Sequence, residues 1–175
     1  MRQVTFEPAR PLDTGSMPWI PTGPGKSFRP LRFAADGWSE LMRLEPGSAV
    51  APHRHTGEVH AFNLAGTREI LGTGERVGPG NYVYEPAGTV DGWRAVGDEP
   101  CVVHIKVAGA IEYLGDDGQV IESVNAETQC TLYLAWCRDH GVHPAEQILG
   151  LGGGTGRQRH PAPPPAAPGR DLNQP

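Results

Sequence analysis

Between Gly37 and Leu114 short apolar-rich runs alternate with turn signals, and this rhythm limits the fold more than any other feature of the chain. The runs WSELMRLEP, VHAFNLAG, TREILGTGERVGPG, NYVYEPAG, GWRAVGDEP, CVVHIKVAG and AIEYLGDDG are punctuated by Pro-Gly, Gly-Asp and Asp-Gly pairs. Turns recurring every roughly 8–12 residues leave room for strands and none for a helical bundle, so an antiparallel sandwich or barrel is expected. The 24 glycines and 18 prolines among 175 residues, well above average use, are what such turns consume.

The same reading divides the chain. Residues 1–36 form a Pro- and Gly-rich arm whose apolar anchors are Trp19, Ile20, Phe28, Leu31 and Phe33. It is expected to pack on the barrel or on a neighbouring subunit. Residues 37–148 form the barrel and end in one helix, expected from Ala126 to His140. Asn125 is a suitable N-cap, Glu127 lies in the first turn and Gly141 can end the helix. Leu132, Tyr133, Trp136 and Cys137 fall at helical spacing and read as packing residues. Residues 149–175 read as a flexible Gly/Pro-rich tail. Its GLGGGTG piece fits no dinucleotide-binding register, because no strand precedes it and no helix follows.

Charge and cysteine usage exclude several classes of function. The formal net charge is −5 and no basic patch stands out, so neither nucleic acid nor an acidic membrane is an expected partner. No apolar run approaches the ~20 residues of a spanning helix. MRQVTFEPARPLDT lacks an apolar h-region, so no signal peptide and a cytoplasmic location are expected. Cys101, Cys130 and Cys137 form no CxxC pair and read as small buried hydrophobes.

The chemistry concentrates in Gly47–Gly66, GSAVAPHRHTGEVHAFNLAG. His53 and His55, two apart, face the same way on a strand. Imidazole is a ligand for zinc, iron, copper and nickel alike. A second stretch, GNYVYEPAGTVD from Gly80 to Asp91, brings the chain back toward the same place.

Together the two stretches resemble the paired motifs of a cupin, a small jelly-roll barrel with a metal at its centre. Against the first motif, G-x5-H-x-H-x3/4-E-x6-G, residues Gly47, His53, His55 and Gly66 match. The Glu position falls on Val59 or His60, with Glu58 one residue away. Against the second, G-x5-P-x-G-x2-H-x3-N, residues Gly80, Pro86 and Gly88 match, while Asp91 holds the His position and Ala95 the Asn position. The resemblance implies a divalent metal held by His53, His55 and His60, with Asp91 as the carboxylate. Without His60, two histidines and Asp91 still make a facial triad. Two alternatives stay open: Asp91 capping the turn before Gly92 and Trp93, and His60 facing substrate as a catalytic residue. His140, His143 and His160 read as solvated.

A longer set of stretches, PWIPTGPGKSFRPLRF, DGWSELMRLEPGS, HRHTGEVHAFNLAG, YVYEPAGTVDGW and VAGAIEYLGDDG, resembles cupins of the 2,4'-dihydroxyacetophenone dioxygenase-like group. It covers about Trp19 to Tyr133. The resemblance implies a non-haem Fe(II) enzyme that uses O2 to cleave a C–C bond beside a carbonyl, in a hydroxyketone or diketone. His53 and His55 carry over as iron ligands, and Asp91 replaces the third histidine. A carboxylate is expected on the strand after the Gly66 turn, with Glu69 and Glu75 as candidates. Phe62, Tyr82, Tyr84, Trp93 and His104 are candidate pocket liners, and Arg68 or Arg94 could hold an anionic group, although a surface position is the preferred reading of either. Two other readings use the same residues. In one, zinc, nickel or manganese acts as a Lewis acid and Asp91 is a general base. In the other, the barrel only binds a small molecule. Cupins associate through sheet edges and exchanged arms, which implies a homodimer or a dimer of dimers.

Overall fold

The turn signals between those runs end strands, whereas the possible turn at Asp91-Gly92 lies inside one, and the strands close into two facing sheets. The computed structural model describes residues 9–150. Its strands are β1 (Ile20–Gly23), β2 (Lys26–Ala34), β3 (Gly37–Leu44), β4 (Ala49–His55), β5 (Val59–Ala65) and β6 (Thr67–Ile70). They continue as β7 (Arg76–Val77), β8 (Tyr82–Glu85), β9 (Val90–Val96), β10 (Cys101–Ala108), β11 (Ala110–Leu114) and β12 (Val120–Asn125). The first sheet has the order β1-β2-β3-β10-β5-β8 and the second β12-β11-β4-β9-β6-β7. The strand pairs are antiparallel. Neighbours far apart in sequence, such as β3 with β10 and β4 with β9, give the jelly-roll weave expected of a cupin.

Side-chain alternation fills the space between the sheets. The first sheet contributes Trp38, Leu44, Val59, Ala61, Val103 and Val107, and the second Val50, Trp93 and Ala95. Ile20, Phe28 and Phe33 have no exposed surface and join this core, so residues 20–34 of the Pro-rich segment add two strands to the first sheet. The single α-helix among the described residues, α1, spans Ala126–His140 as its capping pattern predicts. Asn125 Oδ1 accepts from the Thr128 amide at 3.0 Å, Thr128 Oγ1 accepts from the Asn125 amide at 2.9 Å, and Gly141 closes the helix at φ 65°. Cys130, Tyr133 and Cys137 face inward from α1, and Tyr133 meets Phe33 at 6.1 Å between ring centroids. The three cysteines are buried and free.

Two local features aim the site. The register of β4 against β9 shifts between Val50 and His53, at Pro52, which has no amide to donate. The bulge lets Val50 and His53, three residues apart, both point inward. Gly66 turns the chain from β5 to β6 at φ 60°, and a Cβ there would lie 2.4 Å from the Pro100 carbonyl oxygen, so only glycine fits. Residues 1–8 of the expected arm, and the expected tail from 151 onward, lie outside the described residues.

Candidate metal centre

Beyond the β4 bulge, His53 and His55 enter the space between the sheets, each 3% exposed. His53 Nδ1 lies 2.8 Å from the Ala51 carbonyl oxygen. A carbonyl only accepts, so Nδ1 carries the proton and Nε2 keeps its lone pair. Burial lowers the pKa of His53, which keeps the ring neutral and able to ligate. The His55 ring stands edge-on to it, centroids 4.6 Å apart. Among the described residues neither ring nitrogen of His55 has a hydrogen-bond partner, although both are buried. Its Nε2 approaches Glu85 Oε2 to 2.8 Å without the angles of a hydrogen bond.

Glu85 ends β8 at the edge of the first sheet, opposite Val59 of β5, and is 6% exposed. Asp91, on β9 beside His53, is half-buried and accepts the Gly92 amide at 2.6 Å. His55, Glu85 and Asp91 each offer a ligand atom, and these atoms lie within 4.8 Å of one another. Burial, then repulsion from Glu85, pushes the Asp91 pKa up to about 6. A cation between the two carboxylates would remove that repulsion. Ligands about 2.0–2.2 Å from a metal sit roughly 3 Å apart when adjacent, close to the His55–Glu85 approach. Orphaned imidazole nitrogens, crowded carboxylates and an N/O donor set together fit a divalent metal; His53 lines the same cavity but is not one of the three clustered residues.

The remaining walls are mostly apolar. Met42, Val50, Trp93, Ile105, Ile111 and Tyr113 line an inner cavity of about 40 Å³ that also exposes Glu40 and Arg68. An outer groove of about 350 Å³, lined by Pro52, Ile70, Leu71, Val83 and Val90, shares Glu85 and Asp91 as its floor. Glu40 on β3 is 2% exposed, and its Oε2 accepts from Trp38 Nε1 at 3.0 Å and from Gln129 Nε2 at 3.5 Å. Burial raises its pKa to about 7 despite the Trp38 hydrogen bond. Arg68 on β6 is 1% exposed and lies over the Trp93 ring, 5.1 Å from its centroid.

The expected residues therefore separate. His53, His55, Asp91 and Trp93 share the cavity. His60, Phe62, Tyr82, Tyr84 and His104 are not brought to it. In β5 the inward residues are Val59, Ala61 and Asn63, and in β10 they are Val103, Ile105 and Val107, so the alternate positions face outward. His60 instead places Nδ1 2.6 Å from the Tyr82 hydroxyl and Nε2 3.2 Å from Glu58 Oε1 on the outer surface. Glu69 turns away to Arg94 at 2.7 Å, and Glu75 to Thr73. The inward side chain on the strand after the Gly66 turn is the cation Arg68, where a carboxylate was expected. Glu85 and Glu40 escaped the sequence reading, and Arg68, for which a surface position was preferred, is buried. The YVYE run held a usable signal, since two outward tyrosines put Val83 and Glu85 inside.

Two facing antiparallel sheets with histidines and carboxylates gathered between them define the class: the fold is a cupin. The chain belongs to the family of the ChrR cupin-like domain, whose profile matches residues 9–109. No curated protein matches the sequence significantly. An RmlC-like cupin protein from Ralstonia eutropha is 25% identical, with a TM-score of 0.73 over 78% of this chain and 92% of that one. An acetylacetone dioxygenase from Acinetobacter johnsonii is 21% identical, with a TM-score of 0.64 over 77% of this chain and 96% of that one. The polyketide cyclase RemF from Streptomyces resistomycificus is 19% identical, with a TM-score of 0.52 over 67% of this chain and 84% of that one. The last two likenesses are of fold alone. The expected membership among the cupins is met. No helix among the described residues is long and apolar enough to cross a membrane.

Proposed function

We propose that this chain is a metal-dependent cupin enzyme, a non-haem Fe(II) dioxygenase that cleaves a C–C bond beside a carbonyl in a small hydroxyketone or diketone. The observation that carries the reading is the convergence of His55, Glu85 and Asp91 from two sheets onto one buried point. Those three are one imidazole and two carboxylates; His53 in the same cavity supplies the second imidazole that the two-histidine, one-carboxylate triad of Fe(II) oxygenases needs. The metal supplies Lewis acidity toward a carbonyl oxygen and, as Fe(II), redox chemistry with O2. For a hydroxymethyl ketone, R–CO–CH2OH, one O2 gives R–COOH and formic acid, with no other reductant needed.

The chain's own residues do the rest. The Ala51 carbonyl fixes the ring of His53, which lines the cavity, and leaves its Nε2 unprotonated. Trp93, Met42, Val50 and Ile105 exclude water from the inner cavity. Glu40 faces that cavity with a pKa near neutrality and both its hydrogen bonds on Oε2, which suits it to take the proton on the carbon beside the carbonyl. The outer groove suits the apolar remainder of a substrate.

Glu40 also favours a second reading. A Lewis-acid isomerase, cyclase or decarboxylase using zinc, nickel or manganese needs such an acid–base group and no O2. An oxygen electrode separates the two, using Fe(II)-loaded protein with 2-hydroxyacetophenones and β-diketones. One O2 consumed per substrate cleaved supports the dioxygenase. Turnover without O2 uptake replaces it with the Lewis-acid enzyme, and no turnover of any carbonyl compound leaves a binding protein.

A further inference from the structure

Among the described residues Arg68 is a buried cation without a hydrogen-bond or ion-pair partner. It is 1% exposed, and among the described residues its Nε and Nη2 are both buried and make no hydrogen bond. No carboxylate of the described residues lies within ion-pairing distance of it. Glu85 and Asp91 share its cavity and act on it electrostatically, yet neither touches it. Arginine is almost never fully buried without a counter-ion, because leaving a charge unpaired in the interior costs several kcal/mol. The Trp93 face offers partial compensation, and the planar fork of donors remains free.

Charge counting says what the fork is for. A divalent metal with Glu85 and Asp91 is neutral as a group, and His53 and His55 add nothing as neutral rings. With Glu40, which lines the same cavity, in its protonated form, Arg68 then leaves the inner cavity with one uncompensated positive charge. A monoanionic ligand balances it, and a guanidinium meets a carboxylate through two parallel hydrogen bonds.

Size narrows the ligand further. The inner cavity, about 40 Å³, holds the space of about three waters. It admits a small head group and not a ring, whereas the outer groove offers about 350 Å³ between apolar walls. Carboxylate and carbonyl must both fit inside, so they are neighbours in the molecule.

We propose that Arg68 recognises a substrate carboxylate beside the metal, and that the substrate is a short keto acid whose carboxylate adjoins its carbonyl and whose apolar tail lies in the outer groove. This rests on the metalloenzyme reading above and replaces its uncharged hydroxyketone or diketone with a keto acid.

The test compares two probes of like shape, benzoylformate and the uncharged 1-phenyl-1,2-propanedione. Binding to the Zn(II)-loaded full chain is measured by titration calorimetry, with metal content checked in parallel. Benzoylformate is expected to bind roughly 10- to 100-fold more tightly, the range of one or two charge-assisted hydrogen bonds. Arg68→Met is expected to erase that preference while the metal is retained, and Arg68→Lys to keep part of it. Equal binding of the two probes by the wild-type chain overturns the proposal without any variant, and so does a preference that survives in Arg68→Met. If metal and dione bind but the carboxylate gains nothing, only the Arg68 assignment fails. If neither metal nor probe binds, the metalloenzyme reading fails and takes this one with it.

Discussion

His55 Nε2 and Glu85 Oε2 come from different sheets and stand 2.8 Å apart without a hydrogen bond between them. A buried ion pair would align its donor and acceptor, whereas two ligands of one cation point past each other toward a common centre. Glu85→Gln keeps the volume and removes the charge. Metal affinity, measured by chelator competition, is expected to fall by about 10- to 100-fold or more. Unchanged affinity would place Glu85 outside the ligand set.

His60 gives the opposite expectation. Its ring lies on the outer face among Tyr82, Tyr84 and Glu58, so His60→Ala should leave metal content as it is. Its stability change is expected to stay within about 0.5 kcal/mol, as for most surface substitutions. Loss of metal in His60→Ala would contradict the inward and outward phases of β5.

Glu40 makes stability depend on pH in one direction. Its folded-state pKa of about 7 exceeds the ordinary 4.5, so the folded chain holds the proton more tightly than the unfolded chain. Its contribution is complete below about pH 4.5 and is lost as pH rises through about 7, a loss on the order of 3 kcal/mol. Glu40→Gln carries no titrating charge and should flatten that part of the curve. Urea unfolding of metal-free protein from about pH 5 to pH 8 measures it, and a Glu40→Gln curve parallel to wild type would refute the assignment.

The first sheet ends in β8, whose outer edge has no strand partner among the described residues. Beside that edge Phe62, Leu64, Tyr82 and Tyr84 are 41%, 46%, 54% and 50% exposed. A second copy related by a two-fold axis would pair edge with edge and cover this apolar face. Light scattering should give the mass of two chains, or of four, and Phe62→Asp with Tyr84→Asp should reduce it to one. A wild-type mass of one chain rules the association out.

The fold was readable because its determinants are local. Turn residues punctuate the strands, and Asn125, Glu127 and Gly141 mark the helix ends. The site was readable only where the chain deviates from a plain strand: the HxH after Pro52, and Asp91 after Gly88. Phase was the obstacle. VHAFNLA carries apolar residues at both parities, so nothing in it says that His60 and Phe62 face out while Ala61 and Asn63 face in. The β4 bulge resets the phase again. Glu85 and Arg68 gain their meaning only when β8 and β6 fold over the same space, a relation between sheets that no single segment records.

The most direct measurement is metal content by ICP-MS on the full chain purified without added metal, beside His55→Ala. The expected result is about one divalent ion per chain, iron above all, and its loss in the variant. A wild-type chain that takes up no metal under any loading condition would contradict the account at its centre.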